Sequence, residues 1–390
     1  MSRIIVLGMG LMGPTVAKDC AEDPKVKSVK GCDIDDAKLK AATKFVANRK
    51  FETAKLDVSS HDALVEAVRD YDVVVNASAA KFSIPVLKAA MEVKVNVVDL
   101  AGGAYPLEGH IYKEAEKAGI TAVPGCGVDP GLIEILSGRA MDLMQAPKEV
   151  YFACGGLPKD PKPPLDYKIV FGGTKMPIRP GKVPMILDGK QVMVDRYDDV
   201  ETISVEGYPD MEAFYDGYPS SLLKLCLEKG VKTFKGKTIR YKGFVEKLKF
   251  LLDLGVISNN PLIYHGKSLV PVDFFNELVY PMVKFDAAAG DRDITVLLVR
   301  VAGRSGEVDV QVSYDVVDVY DEEKKVTSMA RTTGYTAAIV ARMLARGDIP
   351  QKGIQWPVYI IRGELFEELL SSLRTRGLEI KESATKTRKI

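Results

Sequence analysis

The chain has 390 residues, and its 54 basic and 53 acidic side chains leave a formal charge of +1, with no basic stripe to receive nucleic acid or a membrane surface. A small molecule is therefore the expected partner. Five scattered cysteines without a CxxC pair and only three histidines, His61, His110 and His265, argue against a disulfide framework or a zinc site, so no metal is expected.

The first expected strand, Arg3 to Leu7, starts almost at the first residue and leaves no room for a signal peptide. No apolar run is long enough to span a bilayer, and a cytoplasmic location follows as the expectation. The strand runs into Gly8-Met9-Gly10-Leu11-Met12-Gly13, a GxGxxG pattern. Gly8 permits a tight turn, Gly10 lets a pyrophosphate approach the backbone, and Gly13 lets the following helix pack closely on the sheet. A second strand, Val26 to Cys32, ends at Asp33. A carboxylate there accepts hydrogen bonds from ribose hydroxyls and repels a 2′-phosphate, which favours NAD over NADP. The alternative is that Asp33 caps the helix beginning near Asp35.

Further strands are expected at Thr53 to Leu56, Asp72 to Ala77, Val95 to Leu100 and Thr121 to Val123. They alternate with helical patterns at Ala63 to Arg69, Ile84 to Glu92 and Leu107 to Ala118. Six strands in this order make a Rossmann-type, doubly wound parallel sheet in an α/β fold. Ligands in such sheets lie beyond the carboxyl ends of the strands. Asp57-Val58, Asn76-Ala77-Ser78, Asp99-Leu100-Ala101 and Gly125 to Pro130 are thus expected around one crevice.

After a helix from Leu132 to Met144 the pattern changes. Alternating runs at Ile294 to Val301 and Val308 to Tyr320 read as antiparallel strands, with helices at Ser220 to Glu228, Phe244 to Leu254 and Asp273 to Val283. This is a second, mixed α/β domain over about 147–324, suited to substrate contacts and to pairing of two copies as a homodimer. It is inserted before a late Ala-rich helix, Thr333 to Arg346, that returns to the first domain, so the dinucleotide domain comprises 1–146 plus about 325–375. A helix at Glu364 to Arg374 follows, and the charged segment 381–390 is expected to fray.

Asp129, in Gly127-Val128-Asp129-Pro130-Gly131, is the one carboxylate where the sixth strand meets the crevice. It suits a cationic amine, or it caps the next helix; the residues alone leave both open. Together with the GxGxxG loop, Gly-Val-Asp-Pro-Gly-Leu at 127–132, Gly-Gly-Leu-Pro-Lys-Asp-Pro-Lys-Pro-Pro-Leu-Asp-Tyr-Lys at 155–168, Ile-Arg-Tyr-Lys-Gly at 239–243 and Thr-Thr-Gly-Tyr-Thr-Ala-Ala-Ile-Val-Ala at 332–341 resemble the saccharopine dehydrogenase family in the right order over nearly the whole chain. Within it, the length and the Gly-Gly-Leu-Pro block resemble lysine 6-dehydrogenases, while Asp129 resembles the glutamate-forming saccharopine reductases.

The resemblance implies that Gly8, Met9, Gly10, Leu11, Asp33, Asp57, Val58, Ser78 and Asp99 contact the cofactor, with Met12, Gly13, Ala77, Gly127 and Val128 completing that set. It further implies that Asp129 meets the substrate amine and that Thr238, Ile239 and Arg240 hold the amino-acid portion, beside Leu100 and Ala101. An Arg240 guanidinium can grip an α-carboxylate with two parallel bonds. One departure is expected to matter: saccharopine reductases carry a further Arg where an ungapped match places Gly217. Its absence favours a smaller substrate than saccharopine, unless a cation such as Lys224 substitutes. A gap would put Asp216 there instead.

The expected activity is NAD-dependent oxidation of a CH–NH group of an amino acid, foremost the side-chain amine of lysine, giving the semialdehyde. Asp129, Tyr241 or a water is the expected base. The alternative is reduction of an imine formed from an aldehyde and a second amine, as in saccharopine or carboxynorspermidine dehydrogenases. A different class, an NAD-binding regulatory protein without turnover, would bind the dinucleotide but act on no amine.

Overall fold

The computed structural model describes residues 1–217 and 219–388. The first part of the chain runs β1 (Ser2–Leu7), α1 (Gly13–Glu22), β2 (Val26–Asp33), α2 (Asp36–Val46), β3 (Phe51–Lys55), α3 (His61–Val68), β4 (Val73–Asn76), α4 (Ser83–Val93), β5 (Asn96–Asp99), α5 (His110–Ala118), β6 (Thr121–Val123) and α6 (Leu132–Asp142). Every strand pairing among β1 to β6 is parallel, in the order β6-β5-β4-β1-β2-β3. Val73, Val74 and Val75 are fully buried because helices cover both faces, which is why this strand reads as a continuous apolar run.

The second part contains β7 (Ala146–Pro158), β8 (Lys182–Leu187), β9 (Lys190–Asp195), β10 (Glu201–Ile203), β11 (Met211–Tyr215), α7 (Ser220–Glu228), β12 (Thr233–Tyr241), α8 (Phe244–Asp253), β13 (Leu262–Tyr264), β14 (Lys267–Leu269), α9 (Pro271–Val283), β15 (Asp293–Ser305) and β16 (Val308–Val319). It ends with α10 (Ser328–Arg346), β17 (Gly353–Ile354), α11 (Pro357–Ile360), α12 (Glu364–Thr375) and β18 (Lys381–Arg388). The second sheet has the path β10-β11-β12-β7-β15-β16-β18; β12 and β7 are parallel, and the other neighbours along it are antiparallel.

The long helix α10 ties the two sheets together. It starts five residues earlier than its Ala-rich pattern suggests, because two caps lie outside that pattern. The Thr327 hydroxyl accepts from the Ala330 amide, and the Asp293 carboxylate, at the start of β15, accepts from the Ser328 and Met329 amides at 2.8 and 2.9 Å. Further along, Arg342 pairs with Asp19 of α1, and Gly334 leaves just enough room for Thr15. The segment after it adds β17 to the first sheet beside β6, a seventh strand that its two residues do not announce.

The tail corrects an expectation. Rather than fraying, Lys381 to Arg388 pairs antiparallel with β16 over its full length, from Val308↔Arg388 to Asp315↔Lys381. The open edge of β16 offers unpaired backbone groups, and an edge strand needs no buried face, so a fully exposed, charged sequence can occupy it. The last two residues of the expected tail, 389 and 390, lie outside the described residues.

Candidate functional site

The glycine loop has the local geometry of a pyrophosphate cradle. Gly8 sits at φ +95°, and a Cβ there would lie 2.7 Å from the Ala77 carbonyl oxygen; a Cβ on Gly13 would strike the Gly8 carbonyl. Gly10 faces open space, so its backbone is free to be approached. Among the described residues, the amides of Gly10, Leu11 and Met12 donate to no protein group, and α1 begins without a side-chain cap or an acid in its first turn. Those amides and the positive helix end suit a dinucleotide's phosphates.

Asp33 is not the cap of α2. That position belongs to Asp35, whose side chain accepts from the Ala37 amide. Asp33 instead accepts from the Met9 amide (2.8 Å) with one oxygen and from the Asp35 amide (3.0 Å) with the other, tying the glycine loop to the end of β2. Asp57 and Val58 follow β3 at the surface, where the Asp57 carboxylate accepts from the Ser59 amide and hydroxyl, which hold it below its ordinary value.

Ala77 and Ser78 pack against Gly8, and Gly127 lies near the Leu100 carbonyl and the Thr333 methyl of α10, so these segments do converge. Asn76 links them: its amide donates to Asp99 at 2.8 Å while its oxygen accepts from Ser78. Asp99 was expected at the cofactor, but its side chain is fully buried and accepts from Asn76, Tyr105 and the Ala101 amide. It shapes the 99–101 turn; its carboxylate is not offered to the crevice.

Asp129 is not a helix cap either, since α6 is preceded by Gly131. It is open to solvent, yet surrounded by protein mass that raises its carboxyl to about 6, with Arg179 pulling it down and Asp216 pushing it up. At neutral pH it is mainly ionised, a stronger proton acceptor than an ordinary carboxylate. Cys154 of β7 is buried in the fields of both Asp129 and Arg240, which places the two charges in one neighbourhood.

Strand alternation sorts the β12 residues. Arg240 and Thr238 share one face; Ile239 and Tyr241 point the other way, into a core with Leu157, Met211 and Ile294. Tyr241 is therefore corrected as a candidate base: its buried hydroxyl donates to the Pro158 carbonyl at 2.8 Å, and burial pushes it well above its ordinary value. Ile239 is corrected too, because only its backbone is near the charged face; its carbonyl accepts from Arg240 Nη1 at 2.6 Å.

Arg240 is 7% exposed, and its guanidinium lies 4.8 Å from the Tyr167 ring centre and 5.9 Å from that of Phe244. Among the described residues it pairs with no carboxylate, and its Nε has no partner. A buried cation held by two rings but left without a counter-ion is a preformed receptor for an anion.

Two arginines that the sequence did not single out complete the site. Asp216, buried beyond β11, accepts from Arg179 and Arg196, each at 2.8 Å, and from Thr238 at 3.2 Å. A Cβ added to Gly217 would stand 3.6 Å from Arg179 Nη2. The loop before β8 thus brings a guanidinium beside position 217. Glu134 of α6 was also overlooked: it is fully buried against Ser221, and burial raises its carboxyl to about 8.

A cavity of about 740 Å³ touches Met9, Gly10 and Leu11 but is walled by α2 and by loops of the second domain; Asp33, Asp129 and Arg240 do not line it. No helix among the described residues is long and apolar enough to cross a membrane.

Comparison with known proteins agrees with this arrangement. Residues 4–123 match the family model described as the saccharopine dehydrogenase NADP binding domain, and residues 127–378 match the saccharopine dehydrogenase C-terminal domain. Mouse mitochondrial alpha-aminoadipic semialdehyde synthase is 24% identical over 98% of this chain and 48% of its own length. The NADP(+), L-glutamate-forming saccharopine dehydrogenase of Saccharomyces cerevisiae is 27% identical over 66% of this chain and 59% of its length. The chain thus spans about half the length of these curated relatives.

The solved apo structure of the yeast L-Glu-forming saccharopine dehydrogenase superposes with a TM-score of 0.79 at 20% identity, covering 99% of this chain and all of that one. A homospermidine synthase from Legionella pneumophila, in complex with NAD, gives 0.62 at 10% identity, covering 98% and 91%. With two family models in tandem over nearly all of its length, the chain belongs to the saccharopine dehydrogenase family.

Proposed function

We propose that the chain oxidises the side-chain CH–NH₂ carbon of lysine to the imine with NAD, and that water then hydrolyses the imine to the semialdehyde and ammonia. The observation that carries this reading is Arg240, a buried guanidinium with no carboxylate of its own, in the same neighbourhood as the ionised Asp129. Bound NAD supplies the hydride acceptor. Arg240 takes the α-carboxylate, and the flanking Tyr167 and Phe244 rings fix its orientation. Asp129 attracts the ammonium and accepts its proton, for which a carboxyl raised to about 6 is better suited than one at its ordinary value. Asp216 is already shared by two arginines, so among the described residues Arg240 is the one guanidinium of the three without a counter-ion, and lysine brings one carboxylate.

NAD is preferred in this reading because the Asp33 carboxylate, fixed by two amides at the end of β2, would face a 2′-phosphate with like charge. The relatives named for NADP(+) make this a point to measure.

A second reading has an observation of its own. Arg179 stands beside Gly217, and its guanidinium is about half exposed with only Nη2 committed, so it has N–H groups left for a further carboxylate. That supports a saccharopine-type secondary amine and removes the size argument drawn from the missing Arg at 217. The test is NADH formation by the full chain. Lysine alone sustaining turnover, with saccharopine a poor substrate, supports the first reading; turnover of saccharopine but not lysine replaces it with the second.

A further inference from the structure

Tyr167 reaches Arg240 from the loop between β7 and β8. The loop is pinned on both sides of it: the Lys247 ammonium of α8 pairs with Asp166, and the Ile169 amide donates to the Val283 carbonyl at 2.8 Å. The ring packs against Phe244 at 5.8 Å between centres and carries the Arg240 guanidinium over its face at 4.8 Å. A side chain fixed in this way loses little freedom when a ligand arrives.

The hydroxyl of this ring is left over. Tyr167 is 3% exposed, and among the described residues its Oη has no hydrogen-bond partner. A buried hydroxyl without a partner destabilises a fold. The charged groups that bear on it are the Arg240 and Arg179 guanidiniums and the Asp216 carboxylate. Guanidiniums can only donate, and Asp216 already accepts from Arg179, Arg196 and Thr238. Burial pushes the hydroxyl above its ordinary value, so it keeps its proton. It is a donor near two cations, without an acceptor, and the Nε of Arg240 is equally unpartnered.

We propose that Tyr167 is a substrate-binding residue whose hydroxyl donates to the carboxylate that Arg240 receives. The inference rests on the reading of Arg240 as the carboxylate receptor and adds a neutral donor that fixes where on the guanidinium the carboxylate sits. A carboxylate has an oxygen for each of the two donors. An amine that carries no carboxylate leaves both without an acceptor, so the pair selects amino acids over simple diamines.

Calorimetric titration of lysine and of saccharopine into the full chain saturated with NADH tests it, on the wild type, Tyr167→Phe and Arg240→Met. Phe keeps the ring beneath Arg240 and removes the hydroxyl alone. For whichever compound binds the wild type, Tyr167→Phe should weaken binding by about 10- to 100-fold, as expected for the loss of a hydrogen bond to a charged group. In turnover that loss should fall on KM rather than on kcat. The thermal midpoint should not fall, since the hydroxyl bonds nothing in the free protein; a structural hydroxyl would give the opposite pair, a lower midpoint and unchanged affinity. Weaker binding in Arg240→Met with unchanged binding in Tyr167→Phe overturns the proposal and leaves the reading of Arg240 standing. Unchanged affinity in Arg240→Met, or no binding of either compound to the wild type, removes both. A Tyr167→Phe chain that is destabilised or does not fold also overturns the proposal, because the hydroxyl would then be bonded within the protein.

Discussion

Replacing Arg240 with Met keeps most of the side-chain volume and removes the charge, and the structure predicts opposite consequences for binding and for stability. On the stability side, Arg240 gains its two ring contacts and one bond to the Ile239 carbonyl, about 2–3 kcal/mol together. Against this stands a desolvation penalty of several kcal/mol for a guanidinium that is 7% exposed and has no counter-ion. The two sides nearly cancel. Arg240→Met should therefore shift the thermal midpoint of the free protein by no more than about 3 °C in either direction. On the binding side, a substrate carboxylate that loses a buried charge partner loses roughly 2–5 kcal/mol, so kcat/KM should fall by about 30-fold to several thousand-fold, chiefly through KM. Differential scanning fluorimetry and initial-rate kinetics on the same preparation read the two effects. A large drop in midpoint would make Arg240 a structural residue, and an unchanged KM would remove it from the substrate site.

Asp129→Asn should lower kcat/KM by about 100-fold or more and abolish the acidic limb near pH 6 that the wild type shows as its raised carboxyl takes up a proton; a pH–rate profile with the same limb in both proteins would contradict this. Asp33→Ser should raise the NADP-to-NAD preference ratio by about 10-fold or more, because it removes the charge that opposes a 2′-phosphate, and equal ratios before and after would return Asp33 to a purely structural role. Glu134→Gln should stabilise the protein as pH rises. The folded carboxyl is held near 8 against 4.5 ordinarily, so its contribution is present below about pH 4.5 and is lost as pH approaches 8, by up to about 4 kcal/mol. Chemical denaturation of both proteins at pH 5 and pH 8 checks the sign: the gap in favour of Gln should be near zero at the first and widen at the second.

The dinucleotide half was legible because its signals are local: a glycine's role in a tight turn is fixed by the residues around it, and the buried valines of β4 announce a parallel strand. Tyr241 was misassigned as a candidate base, although strand alternation puts it opposite Arg240 once the latter is placed in the site. Arg179 was not. It reaches position 217 from a loop 38 residues earlier, and no spacing rule relates the two. Asp99 and Glu134 show the other limit, for a carboxylate at a strand end or in the run Leu132-Ile-Glu-Ile-Leu looks alike in sequence whether it faces a ligand or is sealed in the core. The edge strand β18 escaped notice because an exposed charged segment pairs through its backbone alone.

The most direct test follows the hydrogen. Lysine and saccharopine, each carrying two deuterons on the ε-carbon of the lysine unit, are incubated with NAD and the full chain, and the reduced cofactor is analysed by mass spectrometry. Hydride removal from the carbon beside the nitrogen places one deuteron on each NADH formed from whichever substrate turns over. NADH that forms without deuterium, or no NADH from either compound, would contradict the assignment of Arg240 and Asp129 to the oxidation of that bond.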